Sequence, residues 1–581
     1  MLYRISRAIV ALTITLSLPM AIAGQIVSTP VALSQGSYAS AGRQSREVAR
    51  VGVDETRPLA LTLFDAVRMA LEQNLDLAVE RINVQQAEYD LFAARGTRDV
   101  GLASNTYYEH RTVPVGSVLA GGANGTLTTK TTNFDLTAQQ LLASGGQWQA
   151  QFTNNRVDSN SQFASLNPQY NSSLTVLFRQ PVLRNFSIDD SRRRIRIASR
   201  RLDLTDSQFR KRAIETVSRV QRAYWDLVFA LRDLQIRRDS VARAESQLAH
   251  NKRMVEDGTL APIELVSVEV ELERRNETVL TAIDVVTRAE NNLKQLILGE
   301  RQSAVWQQPL IPTDTPDPQR VQFSLADVFA SAFANRTELA QNDLQQEINR
   351  VDVGFYHNQT RPQVDLVAQY TSTGLSGTQS SAVNPFASTT LLLLDRVNVL
   401  SGLAGLPPII VGGGGRLPTF LEGGEGQSLR NLFSNDFRTV RFGVSFGLPL
   451  RNRTAEAQLG RALAEGRKLE SQRKSLEQSI EAEVRNALQA VETTRQRVDT
   501  SRASREAAQR QLESEQRRFE AGLSTTFLVL DRQNVLSEAQ GREVRALTDY
   551  NKALADLQQA MGTTLTSANV ELKGSPTAPR R

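Results

Sequence analysis

The chain repeats itself at a constant spacing. Residues 61–78 read LTLFDAVRMALEQNLDLA and residues 323–340 read FSLADVFASAFANRTELA. At an offset of 262, Leu63 aligns with Leu325, Asp65 with Asp327, Ala70 with Ala332 and Asp76 with Glu338. A second echo pairs MVEDGTLAPIELVSVEVELE at 254–273 with RFEAGLSTTFLVLDRQNVLS at 518–537. The halves close on Leu298-Gly299 and Met561-Gly562. A chain of 581 residues would ordinarily divide into several domains. Duplication at this length makes it two copies of one unit.

Aromatic residues are 6% of the chain and mean hydropathy is −0.32, which excludes a helical membrane protein. The one long apolar run, Ala8 to Ala23, follows Arg4 and Arg7 and ends in Ala21-Ile22-Ala23 before Gly24. It reads as a secretory signal peptide over residues 1–23, too short to span a bilayer. Its removal would take the net charge from +6 to about +4, which does not argue for nucleic acid as a partner. The absence of cysteine excludes disulfides, thiolate metal sites, a catalytic thiol and a lipid-modified cysteine anchor. The expected destination is the periplasm, the outer membrane or the medium.

Residues 24–58 are polar and aperiodic and read as an N-terminal extension. The first repeat, 59–307, opens with a helix from a cap at Thr62 to about Arg95. From Val100 to Ser187 the period changes to two: Phe134, Leu136 and Ala138 alternate, then Trp148, Ala150 and Phe152, then Leu174, Val176 and Phe178. A long helix over 192–256 carries a stripe through Val217, Val220, Tyr224, Leu227, Leu231 and Leu234, which calls for partner helices. Asp257-Gly258 breaks it, and a return helix occupies 262–298. A Pro-rich linker, 308–320, leads to the second repeat, 321–562. That repeat reads as a helix to about 360, strands at 362–371 and 438–449, a long helix at 454–519, a break at Gly522 and a return helix at 525–561; residues 563–581 form a tail. Helices of about 65 residues reach roughly 95–100 Å. In each half the opening and return helices sum to about that length, so two short helices can run end to end beside one long one.

The strand faces are apolar on one side and Gln, Thr, Ser or Asn on the other, which suits lipid outside and water inside a barrel. Ser144-Gly145-Gly146 is a short turn, whereas 113–130 and 372–436 are long, as inner turns and outer loops of such barrels are. The basic cluster Arg192, Arg193, Arg194, Arg196, Arg200 and Arg201 stands at the foot of the strands. It reads as a contact to anionic headgroups of the inner leaflet or as a solvated helix face. One chain offers four to six strands, too few to close a water-filled barrel, so several copies are required and the product is a conduit.

These residues resemble the outer-membrane efflux protein family, the TolC-like channels of tripartite efflux and type I secretion systems. The resemblance spans roughly 60–562 and rests on the duplicated opening helix, Gln180-Pro181-Val182-Leu183, Gly447-Leu448-Pro449-Leu450-Arg451-Asn452, and the Gly258 and Gly522 turns with their return helices. It implies a homotrimer in the outer membrane of a Gram-negative-type cell: a β-barrel, usually of four strands per protomer, continued by a coiled-coil helical tunnel through the periplasm. The first half has room for two extra strands, 131–142 and 147–157, which would make eighteen strands if they enter the barrel and leave twelve if they do not. The resemblance further implies a periplasmic adaptor, or membrane fusion protein, and an inner-membrane transporter of RND, ABC or MFS type. Gly258, Thr259, Leu260, Gly522, Leu523 and Ser524 become the adaptor-contact tip, with helix capping as the alternative role of the glycines. Glu264 and Asp531 become candidates for a ring of carboxylates that gates and favours cations, or else lie on a solvated helix surface. Leu528 stands where another acid is expected, and Phe519 and Ser524 offer little for a polar latch.

His110, His250 and His357 match no metal spacing, Gly412–Gly415 precedes Arg416 rather than a Walker lysine, and no nucleophile elbow exists. The expectation is a passive export duct without catalytic residues, metal or cofactor, driven by its partners. The rival classes are a structural or adhesive trimeric coiled-coil surface protein and a periplasmic coiled-coil chaperone. Neither accounts for two strand regions with lipid-facing alternation. The loop 376–435, with Leu391–Leu394, reads as a possible lid over the mouth.

Overall fold

A computed structural model describes residues 50–116, 125–315, 323–380, 385–409 and 417–570. The signal peptide, most of the extension, the centre of loop 113–130, part of the linker, Gly412–Gly415 and the end of the tail lie outside the described residues.

The first half runs β1 (Leu59–Leu61), α1 (Leu63–Gln73), α2 (Leu75–Gly96), β2 (Gly101–Pro114), β3 (Thr126–Leu141), β4 (Gln147–Ser159), β5 (Leu166–Pro181), α3 (Asp190–Glu256) and α4 (Ile263–Ile297). The second runs β6 (Leu310–Pro312), α5 (Leu325–Asn335), α6 (Thr337–Gln359), β7 (Gln363–Gln379), α7 (Pro385–Leu403), α8 (Glu425–Ser434), β8 (Arg438–Gly447), α9 (Arg453–Glu520) and α10 (Thr526–Met561).

The opening helix of each half is two helices, not one. Asn74 closes α1 by donating its backbone N–H to Ala70 O, and its side chain starts α2 by accepting from Leu77 N at 3.2 Å. Its extended ψ of 125° makes the break. The equivalent residue 262 positions on, Arg336, has φ −67° and ψ 119° and closes α5 in the same way on Ala332 O. Apolar spacing continues across both breaks, so periodicity hides them.

α3 has 67 residues and α9 has 68, each about 100 Å of helix. α2 and α4 both pack along α3, and α6 and α10 both pack along α9. The stripe on α3 is buried at Val217, Val220, Tyr224, Leu227 and Leu234. Val217, Val220, Tyr224 and Leu227 with Val67, Ala70, Leu293 and Ile297 enclose the first core, and Ile480, Val484, Tyr550 and Leu557 with Val328 and Ala332 enclose the second. Burying each of these aliphatic side chains contributes about 1.5–3 kcal/mol.

The Pro-rich linker holds a strand: β6 pairs in parallel with β1, Leu59 opposite Leu310 and Leu61 opposite Pro312. Three residues are too few for a period to appear. Leu61 and Leu310 are buried in the first core, and Tyr224 Oη donates to Leu61 O at 3.1 Å, which ties the pair to α3.

The remaining six strands form one sheet in the order β2-β3-β4-β5-β7-β8, antiparallel throughout. The hairpin β3–β4, the two strands left open by the sequence, lies inside this sheet between β2 and β5. β7 runs well past residue 371, and α8 packs on its far part and on β5.

Candidate functional site

Register sorts the sheet into two faces. Directly opposed residues point to the same side. Leu102 opposes Ala138, which opposes Ala150, then Val176, Tyr370 and Val440, one unbroken apolar row across six strands. Trp148, Phe178, Ala368 and Phe442 make the next row on that side. One residue away, Ala103, Thr137, Gln151, Thr175, Thr371 and Thr439 oppose one another in turn, a polar row on the other face. The apolar face is exposed where β8 ends the sheet: Phe442 is 81% and Phe446 66% exposed. The outer edges of β2 and β8, 14 and 10 residues long, have no strand beside them among the described residues.

The described part of the loop expected as a lid contains α7 and α8. α8 sits on the sheet face that carries the apolar rows: Ser372 Oγ donates to Leu432 O at 2.7 Å, and Ser428 Oγ donates to Gly374 O at 3.0 Å.

At the foot of the sheet, Arg192 and Arg193 are used internally. Arg192 donates Nε to Asp189 Oδ2 at 2.9 Å and Nη2 to Asn185 O at 2.7 Å. A Cβ on Gly145 (φ 81°) would lie 2.5 Å from that guanidinium, so only glycine fits the turn above it. Arg193 donates Nε to Asp352 Oδ1 at 2.6 Å and lies over the rings of Phe355 and Tyr356. Arg194 is 64% exposed and pairs with Asp190 at 2.7 Å, and Arg196 is exposed. Arg192 therefore fastens the start of α3 to the connection from β5, Arg193 fastens α3 to α6, and the other two face outward.

At the opposite end of the long helices the turns are twins. Gly258 (φ 74°) donates its N–H to Val255 O at 3.0 Å and Thr259 N donates to Met254 O at 2.9 Å. Gly522 (φ 73°) donates to Phe519 O at 2.9 Å and Leu523 N to Arg518 O at 2.8 Å. Nothing lies within 4 Å of a Cβ at either position, so left-handed backbone and not crowding requires glycine. Leu260 N also donates to Met254 O, and Ser524 Oγ bonds Glu515. Ile263 and Phe527, at matching positions after the two turns, are 68% and 71% exposed, and Leu523 is 73% exposed. Sequence reasoning passed over Ile263 and Phe527; the same offset that matches the glycines would have paired them.

The structure does not bring Glu264 and Asp531 together by any bond. Glu264 is half-buried, and the Asp531 carboxylate lies 3.7 Å from the Arg532 guanidinium. A residue hidden in the charged run ELERRNE matters more to local architecture. Arg275 is 3% exposed and donates to Glu271 Oε1 at 3.1 Å, Ser240 O at 2.9 Å, Gln533 Oε1 at 3.0 Å and Leu530 O at 3.3 Å. It joins α3, α4 and α10 at one point. Burial pulls its pKa below the ordinary guanidinium value, while Glu271 opposes that shift. Among the described residues no group of His, Asp or Glu is arranged to hold a metal ion.

The sequence model of the family described as Outer membrane efflux protein matches residues 171–299 and 328–563, well over half of the chain. Among curated protein sequences none matches the chain. Solved structures share its fold. CusC aligns with a TM-score of 0.59 at 13% identity, covering 89% of this chain and 95% of its own. The Campylobacter jejuni outer membrane channel CmeC aligns at 0.57 and 14% identity, covering 86% of each chain. The Vibrio cholerae outer membrane protein VceC aligns at 0.56 and 13% identity, covering 86% of this chain and 96% of its own.

Proposed function

This chain belongs to the outer membrane efflux protein family, and from that premise we propose that three copies close their sheets into one eighteen-stranded barrel continued by a helical periplasmic duct. The observation that carries this reading is the six-stranded sheet with one apolar face, one polar face and two free edges. Six strands of alternating direction leave β2 and β8 antiparallel to each other, so a seam between copies continues the pattern of every other pair. Closure removes both open edges. It turns the Thr and Gln rows toward water and the Phe, Val and Leu rows toward lipid. Barrels of 16–18 strands hold an aqueous channel.

The duct is passive and receives its cargo from an inner-membrane pump through a periplasmic adaptor. The adaptor docks at the two glycine turns, where Gly258, Thr259, Leu260, Gly522, Leu523 and Ser524 are joined by the exposed Ile263 and Phe527. Glu264 and Asp531, three of each in the trimer, tune ion passage near that end. Arg194 and Arg196 meet inner-leaflet headgroups.

The chain lacks cysteine, so engineered pairs report the seam cleanly. Asn105→Cys on β2 is combined in turn with Thr439→Cys, Arg441→Cys, Gly443→Cys or Ser445→Cys on β8. Under mild oxidation one register is expected to give a covalent trimer on a non-reducing gel. Monomers alone across the whole series would refute the closure.

A further inference from the structure

The connection from β7 to β8 carries two helices that a barrel wall does not require. α8 rests on the sheet through small and polar side chains. Ser428 Oγ lies 2.9 Å from Ser172 Oγ, Asn431 Nδ2 donates to Leu375 O at 2.8 Å, and Ser376 Oγ donates to Gly424 O at 2.8 Å. A Cβ on Gly374 would lie 2.0 Å from Ser428 O, so only glycine admits the helix this close. Ser172, Ser372, Gly374 and Ser376 alternate in step with Val176, Phe178, Leu366 and Ala368 on the same face. The apolar rows therefore stop on β5 and β7 where α8 begins, and α8 covers the rows beyond them.

The outward surfaces in this segment are apolar again. Phe433 of α8 is 73% exposed, and the half-exposed rings of Phe420 and Phe437 pack with centroids 5.5 Å apart. On α7, Leu391, Leu392 and Leu393 are 62–71% exposed, Leu400 63% and Leu403 83%. Asp395 and Arg396 interrupt α7 at its middle, and no described helix is long and apolar enough to cross a membrane. Such a helix, about 28 Å long, carries leucines around most of its circumference and a charged pair at its middle, which keep it out of both water and the bilayer centre and leave the boundary between acyl chains and headgroups, where aromatic residues also gather. Left in water, the leucines would form an exposed apolar patch of the kind that marks an interaction site.

We infer that α7 and α8 form a collar on the outside of the barrel, with α7 seated in the outer leaflet of the membrane. The inference rests on the barrel reading, because it takes its direction from the apolar face that the barrel turns to lipid. Lipid is the occupant because α8 is bonded to that same face directly beyond the apolar rows.

The test uses the full chain reconstituted in phospholipid vesicles, with Leu393→Cys, Leu400→Cys or Phe442→Cys labelled with bimane. Nitroxide-bearing phospholipids and aqueous iodide serve as quenchers. At Leu393 and Leu400, loss of most of the fluorescence to a shallow nitroxide lipid, with little loss to iodide, is expected. Phe442 is expected to respond to a deep nitroxide lipid. Iodide quenching at both α7 positions with Phe442 still quenched by lipid would overturn the collar and leave the barrel standing. Resistance of both α7 positions to both quenchers would place α7 against a neighbouring copy and also overturn it. Iodide quenching at Phe442 would overturn the barrel reading and the collar together.

Discussion

The two halves of the chain share a helical plan and diverge in what they build at the sheet. Asn74 and Arg336 break the opening helices at the same place, and Gly258 and Gly522 turn the long helices with the same hydrogen bonds. Between those fixed points the first half inserts the hairpin β3–β4 into the sheet, and the second half lays α8 upon it. The helices cannot vary freely, since each long helix is packed by two short ones along its length. A strand connection at the far end of a sheet meets no such constraint, and additions collect there.

Excising residues 115–165 removes β3 and β4 and joins β2 directly to β5, giving both halves two strands each. The trimer is expected to persist with twelve strands and a barrel about one third narrower, measured from end-on views by electron microscopy. An unchanged diameter would show that the hairpin does not line the barrel.

The glycine turns should respond alike in both halves. Gly258→Ala and Gly522→Ala each place a Cβ on left-handed backbone without a clash, at a cost of about 1–2 kcal/mol. Apparent melting temperatures of the detergent-solubilised protein should fall by similar amounts; a much larger loss in one would break the equivalence.

The helix breaks should respond unequally. Asn74 is 6% exposed, caps α2 and donates to Leu296 O at 2.9 Å. Asn74→Ala is expected to cost about 1–2 kcal/mol. Arg336 holds the same backbone, but its side chain is only 10% exposed, pairs with Glu338 and Glu483 and donates to Gln559 O at 3.4 Å, so Arg336→Ala is expected to cost more, about 1.5–3 kcal/mol. A smaller loss of thermal stability for Arg336→Ala than for Asn74→Ala would reverse this ranking.

The smallest expected effect is at the tip. Asp531→Ala should reduce cation preference in single-channel recordings from planar bilayers while leaving the trimer intact. Currents indifferent to the change would remove Asp531 from the conduction path and keep the duct.

Much was legible before any coordinates. Heptad spacing marked α3, because a long apolar stripe must be covered, and the paired breaks at Gly258 and Gly522 marked the return helices α4 and α10. Alternation marked the later part of β3, β4, the later part of β5 and β8, and the family followed from the ordered motifs in both halves. Other features were hidden for definite reasons. The breaks at Asn74 and Arg336 preserve the apolar spacing on either side. β6 is too short to show a period, and Arg275 looks like any solvated arginine in a charged run until three helices close around it.

The sequence by itself determined the lengths of the long helices, the glycine turns and the alternation of the strands, all of which depend on neighbours along the chain. Tertiary structure alone decided that β3 and β4 stand between β2 and β5, that α8 lies on the apolar face, and that Arg192 and Arg193 are bound at the foot of the sheet. Those outcomes depend on which distant backbones pair and in what register, and a shift of one residue would exchange the two faces of the sheet.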